Sequence, residues 1–496
     1  MNKTISIFRT TSLLAGICML LGVIGAQAAS LTVTTTADGG SGSLRQAIID
    51  ATVNVEANIV TFSIPTSDPG YNSGANRFTI SLTSPLPNIP LAAMTLNNFQ
   101  PQAITVSGNG TFRVFTLVNS AVVTINNLTI SNGFSNNGLG GGIFMGNSST
   151  LTLAGCTVSS NVASGNGGGV YLANSGTLTL IRSTVRNNSA INGAGIFIFD
   201  SGTVNMDAST INANTAISGG NGAGIYNGTS GTINGTSSTI DGNAAAGFGG
   251  GIYNTATITL TNNTITGNNA TRGGGIYNVF TATMQNNLVA SNTALAGNDL
   301  FGGGALGGNG YSGSFNLIGN ADDSAGLASA PNRSGTTGNP LNPLLGPLQN
   351  NGGSTLTRAL LNGSPAIDKG NSPTLGSDQR GMPRPFDNPL IPNDAGNSAD
   401  IGAYEVQSNA AANFTISGRV FASNGTTALR SVIVSLTDSV GIVRTATTSS
   451  FGIYSFDNLV AGTTYTLRVS SRLYRYQPQT VTPSGDLTNV DFVGLE

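Results

Sequence analysis

Between Val158 and Val289 one short pattern recurs six times: an aliphatic residue, an Asn three positions later and an Ala five positions later. The copies are Val158/Asn161/Ala163, Val185/Asn188/Ala190, Ile211/Asn214/Ala216, Ile240/Asn243/Ala245, Ile265/Asn268/Ala270 and Val289/Asn292/Ala294. A second series interleaves with the first. It reads GGG or GAG, then Ile or Val, then an aromatic ring, and ends at Phe144, Tyr171, Phe197, Tyr226, Tyr253 and Tyr277, at spacings of 24 to 29 residues. A fixed period in this range belongs to stacked units, none of which can bury its apolar face alone. Each unit contains three short alternating pieces, such as Gly251 to Asn254, Thr257 to Leu260 and Asn263 to Thr266, divided by Gly- and Asn-rich turns. Strands this short are satisfied by pairing with their equivalents in the next unit. The chain is therefore expected to be all-β, with a right-handed parallel β-helix over residues 103–319. At ~26 residues per coil this makes roughly eight coils, rising about 40 Å at the usual strand spacing.

The Asn column has a physical cause in such a stack, because a carboxamide carries both donor and acceptor and identical amides can bond from coil to coil. Asn also tolerates the left-handed turn conformation. Asn161, Asn188, Asn214, Asn243, Asn268 and Asn292 are accordingly read as a structural ladder. The six aromatic residues each follow an inward aliphatic, so alternation sends the rings outward. Gly142, Gly169, Gly195, Gly224, Gly251 and Gly275 lie two residues earlier on the same face, leaving bare backbone for the rings to lean over. The expectation is an exposed aromatic ladder, either stacked for its own sake or serving as a platform for sugar rings or a partner's surface. Cys156 occupies the column of Ser183, Ser209 and Ser238 and reads as a small buried filler.

The first 28 residues have a basic start, an apolar stretch from Leu13 to Ile24 and Ala26-Gln27-Ala28, the pattern of a secretory signal peptide. An uncleaved anchor is the rival reading, but the apolar run is shorter than the ~20 residues a span needs. Cleavage implies a secreted or cell-surface protein with no transmembrane span. It leaves 17 basic against 21 acidic residues, a balance that excludes a nucleic-acid surface. The chain has no His, which rules out His-activated nucleophiles and His-containing zinc sites. No cofactor and no metal site is expected; Asp299 in AGNDLFGG stands alone where calcium repeats come in tandem.

Several segments resemble known families. ADGGSGSLRQAIIDA (residues 37–51) resembles the CSLREA-type segment of secreted β-helix proteins, with Gly42 in place of the Cys. Its Ser43 and Gln46 are spaced as a capping box, and Leu44, Ala47, Ile48 and Ala51 share one helical face. The physical sense is a plug, residues 29–102, over the open end of the solenoid. The GGGIY and aliphatic-x-x-Asn elements together resemble the repeats of polymorphic outer-membrane proteins. Ser364-Pro365-Ala366-Ile367-Asp368, Asp378-Gln379-Arg380-Gly381 and Asp400-Ile401-Gly402-Ala403-Tyr404-Glu405 resemble the choice-of-anchor Q domain, placed at 320–407 as a C-terminal cap; that resemblance implies a surface or secreted β-helix protein. After a linker at 408–413, residues 414–496 alternate as a small antiparallel β-sandwich. Gly452-Ile453-Tyr454-Ser455-Phe456 with Gly462-Thr463-Thr464-Tyr465 resembles the carboxypeptidase regulatory-like domain, a transthyretin-like module without peptidase activity. Lys3 and Lys369 are the only lysines, so a Lys-based isopeptide crosslink within this module is excluded.

Parallel β-helices also include enzymes that cleave acidic polysaccharides, which makes the charged residues of the coils decisive. Between Ala103 and Asn298 they are Arg113, Arg182, Arg186, Asp200, Asp207, Asp241 and Arg272. Glycoside hydrolysis takes two carboxylates roughly 5 to 10 Å apart, and no adjacent coils supply such a pair in matching columns. Asp368, Asp378, Asp394, Asp400 and Glu405 with Arg380 and Arg384 form the remaining cluster, read as a salt-bridged end cap. The leading expectation is a non-catalytic protein displaying its solenoid face for adhesion or envelope structure, with a glycan or surface protein as partner and no assigned oligomeric state. The alternative is a carbohydrate-binding or carbohydrate-active protein.

Overall fold

The computed structural model describes residues 30–53, 58–89, 93–302, 310–327, 329–389, 391–407, 414–438, 441, 443–459, 464–483 and 486–495. The signal peptide expected at residues 1–28 and the linker expected at 408–413 lie outside these residues. From Ser30 to Ser334 the chain winds as a parallel β-helix, with one strand of each coil hydrogen-bonded in register to its equivalent above and below. Sheet A contains eleven strands, sheet B twelve and sheet C eight, and a fourth row consists of five two-residue strands. One coil shows the plan: Ile225–Asn227 in sheet C, Thr232–Thr236 in sheet A, Thr239–Asp241 in sheet B and Ala244–Ala245 in the fourth row.

Alternation decides what each strand buries. In Thr257–Thr261 the side chains of Ile258 and Leu260 face a single apolar column inside the coils, and the threonines face out. Winding starts earlier than residue 103. Ser30–Val33, Asn58–Phe62 and Met94–Asn97 already stack in sheet A, although their coils lack the Gly and Asn columns that mark the later ones. A nine-residue helix, Leu44–Thr52, puts Leu44, Ala47, Ile48 and Ala51 against that column and so closes its N-terminal end. Ser43 caps it by accepting from Gln46 N at 3.1 Å. Only half of the capping box forms, because the Gln46 amide turns instead to Asp50 at 2.7 Å.

The polar groups inside the corners are satisfied by neighbouring coils. Asn188 Nδ2 donates to Asn214 Oδ1 at 2.9 Å and to Val158 O at 3.1 Å, and its main-chain N–H donates to the same Oδ1 at 3.0 Å. This unit repeats through Asn161, Asn188, Asn214, Asn243, Asn268 and Asn292, all buried. The left-handed conformation, however, belongs to the residue before each: Ser160, Asn187, Ala213, Gly242, Gly267 and Ser291 have φ between 53° and 65°. The ladder Asn is thus selected for its amide. The corner between sheets A and B works the same way, with left-handed Gly155, Arg182, Ala208 and Ser237 each followed by an inward donor–acceptor. There Cys156 N donates to Ser183 Oγ, Ser183 N to Ser209 Oγ and Ser209 N to Ser238 Oγ at 3.0 to 3.1 Å, and the column continues as Asn263, Asn287 and Asn316. Cys156 heads this column, and burial pushes its thiol up to about 11.

Residues 345–406 depart from the expected end cap. They fold back along the outer face of sheet B, where the outward column changes from Thr157 and Thr184 to the apolar Leu288 and Leu317. Leu288, Ala290 and Leu317 pack there against Leu360, Ala366, Ile367 and Ile401. Gln379 reaches down to Thr239 Oγ1 at 2.6 Å and Thr210 Oγ1 at 3.0 Å. Outward side chains this apolar need a roof, and the returning segment supplies it. Further on, Phe414–Phe421, Ile453–Leu459 and Phe492–Val493 form one sheet and Ile433–Thr437, Val443–Thr447, Tyr465–Ser470 and Gln479–Val481 another, enclosing Ile416, Val434, Tyr454 and Leu467. Pairing in this sandwich is antiparallel except between Val420–Phe421 and Phe492–Val493 and at the Ile416–Leu487 bridge, which are parallel. Among the described residues no helix is long and apolar enough to cross a membrane.

Replacing Asn214 by Leu tests the ladder. Asn188 N and Nδ2 lose their acceptor and Val185 O loses its donor, at roughly 1–3 kcal/mol per buried group left unpaired. The urea midpoint is expected to fall by an amount corresponding to several kcal/mol; a Leu variant as stable as the parent would refute the ladder's role.

Candidate functional site

Three long faces of the coils are the places where a partner could meet this protein, and the structure treats them differently. On sheet C the six aromatic residues do point away from the apolar column, since Ile143, Val170, Ile196, Ile225, Ile252 and Ile276 occupy it. They stack ring on ring, with centroids 4.7 to 5.5 Å apart and planes within 24°. The expected exposure fails, however: Tyr171, Phe197 and Tyr277 are 6, 6 and 7% exposed, and Phe144, Tyr226 and Tyr253 are half-buried. A ring of this size repeated at one strand spacing covers its neighbours' faces. Phe248 stacks on Tyr277 at 4.9 Å, and the Arg113 guanidinium lies 5.1 Å from the Phe144 centroid at the end of the row. Only edges are left for a ligand, whereas a sugar ring stacks on a face. Burial accordingly raises the phenol pKa values of Tyr171, Tyr226 and Tyr253.

The glycines beneath the rings also differ from expectation. A side chain at Gly169 would strike Asn188 Nδ2 and Gly195 O, so that column is kept small by the Asn ladder. The glycine that makes room for the ring stands four residues before it; a Cβ at Gly167 would sit 2.8 Å from that of Tyr171, at a φ of 70°. Sequence reasoning missed a seventh ring, Phe301, 5.2 Å from Tyr277, because Asn298-Asp299-Leu300 replaces the Gly-rich lead-in. The signal was the register, Leu300 pairing with Ile276.

The carboxylates are dispersed. Asp200 accepts from Thr229 Oγ1 at 2.6 Å and Asp207 from Thr236 Oγ1 at 3.2 Å, each on the outer surface. Asp241 is buried beneath the C-terminal segment and paired with Arg358 at 2.8 Å. Asp299 lies at the top of the Asn ladder, where the next coil has Ala321 in place of an Asn. Its Oδ1 accepts from Asn292 N and Nδ2 at 3.0 and 2.9 Å, and Oδ2 accepts from Asn320 N at 2.7 Å. Burial raises its pKa to about 6 despite these donors. Among the described residues no group of three or more acidic, Cys or His side chains is placed to hold a metal.

The three sequence blocks at 364–368, 378–381 and 400–405 do converge, on the flank of sheet B. Arg384 pairs with Glu405 at 2.7 Å with both side chains buried, and Arg380 pairs with Asp378 at 2.7 Å. Arg333 and Lys369 both reach Asp394. Asp400 accepts from Asp368 N at 2.8 Å and Val406 N at 2.6 Å, and Glu405 accepts from Phe386 N at 2.7 Å and Asp400 N at 3.0 Å. Burial, then the Glu405 charge, drives the Asp400 pKa well above the carboxylate range. These groups spend their hydrogen-bonding capacity on main-chain N–H groups, as the pins of an irregular fold.

Sheet A is the face left open. Thr150, Thr177, Thr203, Thr232, Thr257 and Thr281 form one outward row, and Thr152, Thr179, Asn205, Asn234, Thr259 and Thr283 form the next. All are at least partly accessible. A family model described as the right-handed β-helix region matches residues 95–234, within these coils. No curated protein matches the chain.

Asp299 generates a pH prediction. Its folded-state pKa lies above the unfolded value of 3.8, so its contribution to stability is greatest when protonated. That contribution is lost as pH rises through about 6, by up to about 3 kcal/mol. Asp299→Asn retains an acceptor for Asn292 without the charge. Relative to this variant the parent should lose stability between about pH 3.8 and about pH 6 and little beyond; a gap in urea midpoints that does not change with pH would contradict the buried charge.

Proposed function

We propose that this is a non-catalytic exported protein, secreted or held at the cell surface, whose right-handed β-helix presents a long, sparsely charged face for adhesion or envelope structure. The observation that carries this reading is the difference between the three faces. The C-terminal coils of sheet B are roofed by residues 345–406 and sheet C is covered by its own rings, whereas sheet A offers unbroken rows of threonine and asparagine over six coils. A rigid scaffold with one uncovered side is suited to broad contact with a partner. The same arrangement argues against catalysis: Asp241 is neutralised by Arg358, Asp200 and Asp207 bond to threonines of the next coil, and Asp299 is held by the Asn ladder. The expected partner is a surface glycan or surface protein, with no nucleic acid and no cofactor.

Two measurements test this. Purified protein incubated with pectin or alginate should release no unsaturated or reducing ends; cleavage would overturn the non-catalytic reading. Thr179→Lys with Thr259→Lys, both on outward positions of sheet A, should leave the melting temperature within about 2 °C, as surface changes do, and reduce adhesion to envelope preparations by about tenfold. Full adhesion by the folded double variant would remove sheet A from the reading.

A further inference from the structure

At the corner of sheets A and B an open groove of about 500 Å³ runs across four coils. Its floor follows the outward column Asn97, Asn126, Ala154 and Ile181, which are register partners. It dips in the middle, because Ala154 and Gly155 present a methyl group and bare backbone between larger neighbours. Phe99 stands at one end, 75% exposed and without a ring partner among the described residues. Arg182 and Ser354 stand at the other, Ser354 belonging to the segment that roofs sheet B. Three coil-to-coil steps give a run of about 14 Å.

Asn127, also in the lining, donates to Asn98 O at 3.2 Å, but three other polar side chains are free. The carboxamides of Asn97 and Asn126 and the guanidinium of Arg182 make no hydrogen bond or ion pair among the described residues, in a protein whose other corner amides are almost all engaged with one another. Asp207 continues the column beyond Ile181, outside the groove lining, where it accepts from Thr236. An unstacked ring, two free amides one strand spacing apart and a free cation in one trough match a linear sugar polymer. The ring takes the C–H face of a pyranose, the amides offer donor and acceptor to adjacent hydroxyls, and the planar guanidinium takes a carboxylate in two parallel bonds. A peptide strand finds no purchase by edge addition, since both edges of Asn97 to Asn126 are already paired within sheet A.

We propose that the groove bounded by Phe99, Asn97, Asn126 and Arg182 binds a short run of a linear uronic-acid polysaccharide. This rests on the contact-scaffold reading and names what one edge of the open face recognises. The test is calorimetric titration of the purified protein from residue 29 onward with tetragalacturonate, and with neutral maltotetraose as the comparison. Binding of the uronate is expected, weakened about tenfold by Phe99→Ala, the loss of about 1.4 kcal/mol of stacking. Arg182→Asn restores a residue type that Asn127 and Asn262 carry at the same left-handed corner, and should remove the preference over the neutral chain. Phe280→Ala, an exposed ring outside the groove, should change nothing. No uronate binding by the parent, equal affinity for both sugars, or affinity unmoved by Phe99→Ala and Arg182→Asn each overturns the proposal. If adhesion to envelope preparations persists in those cases, the scaffold reading stands without it; cleavage of the uronate would instead sink the scaffold reading's claim of no catalysis.

Discussion

Everything in this molecule depends on like side chains meeting at one strand spacing. A coil of about 26 residues cannot satisfy its own corner groups, because the chain turns too tightly there for main-chain pairing within the coil. Each corner therefore places a left-handed residue, such as Gly242 or Ser291, just before an inward polar one whose acceptor takes the N–H groups of the coil below. Inside a low-dielectric stack these bonds are strong and a missing one is costly. The same spacing that suits amides suits aromatic rings on the outside, which is why Phe144 to Phe301 form a continuous row.

Repetition then creates two problems that the rest of the chain solves. Open ends expose apolar side chains, and the helix at Leu44–Thr52 closes the first of them. The ladder itself must end, and Asp299 ends it with a carboxylate that accepts on both oxygens, at the expense of a buried negative charge. Towards the C-terminal coils the outward surface of sheet B becomes apolar, and the segment 345–406 is held over it by Gln379, Arg358 and the buried Arg384–Glu405 pair. The threonine rows of sheet A and the groove beside Phe99 are what remain in contact with solvent, and they are where contact with a partner is proposed.

Most of the architecture was legible. The Asn columns, the inward aliphatics and the helix face formed by Leu44, Ala47, Ile48 and Ala51 all follow from period and alternation. The errors share one cause, the inference of a residue's surroundings from its own strand. Tyr171 and Phe197 were expected in solvent because they point outward, yet their neighbours in adjacent coils cover them. The left-handed corner was assigned to Asn214 when Ala213 adopts it, because an Asn-rich turn does not say which of two successive residues bends. Of the groove, nothing was legible beyond Arg182 as an isolated charge, since Asn97, Phe99, Arg182 and Ser354 are far apart in sequence.

The sequence by itself determined a stack of all-β coils with amide ladders inside and aromatic rings outside, followed by a sandwich, because period and alternation are local properties that every copy repeats. Only the tertiary structure decided which outward faces remain open. Whether an outward residue meets water depends on what returns from elsewhere in the chain, and Thr239 lies buried under Gln379 while Thr259, one coil on in the next sheet, stays exposed.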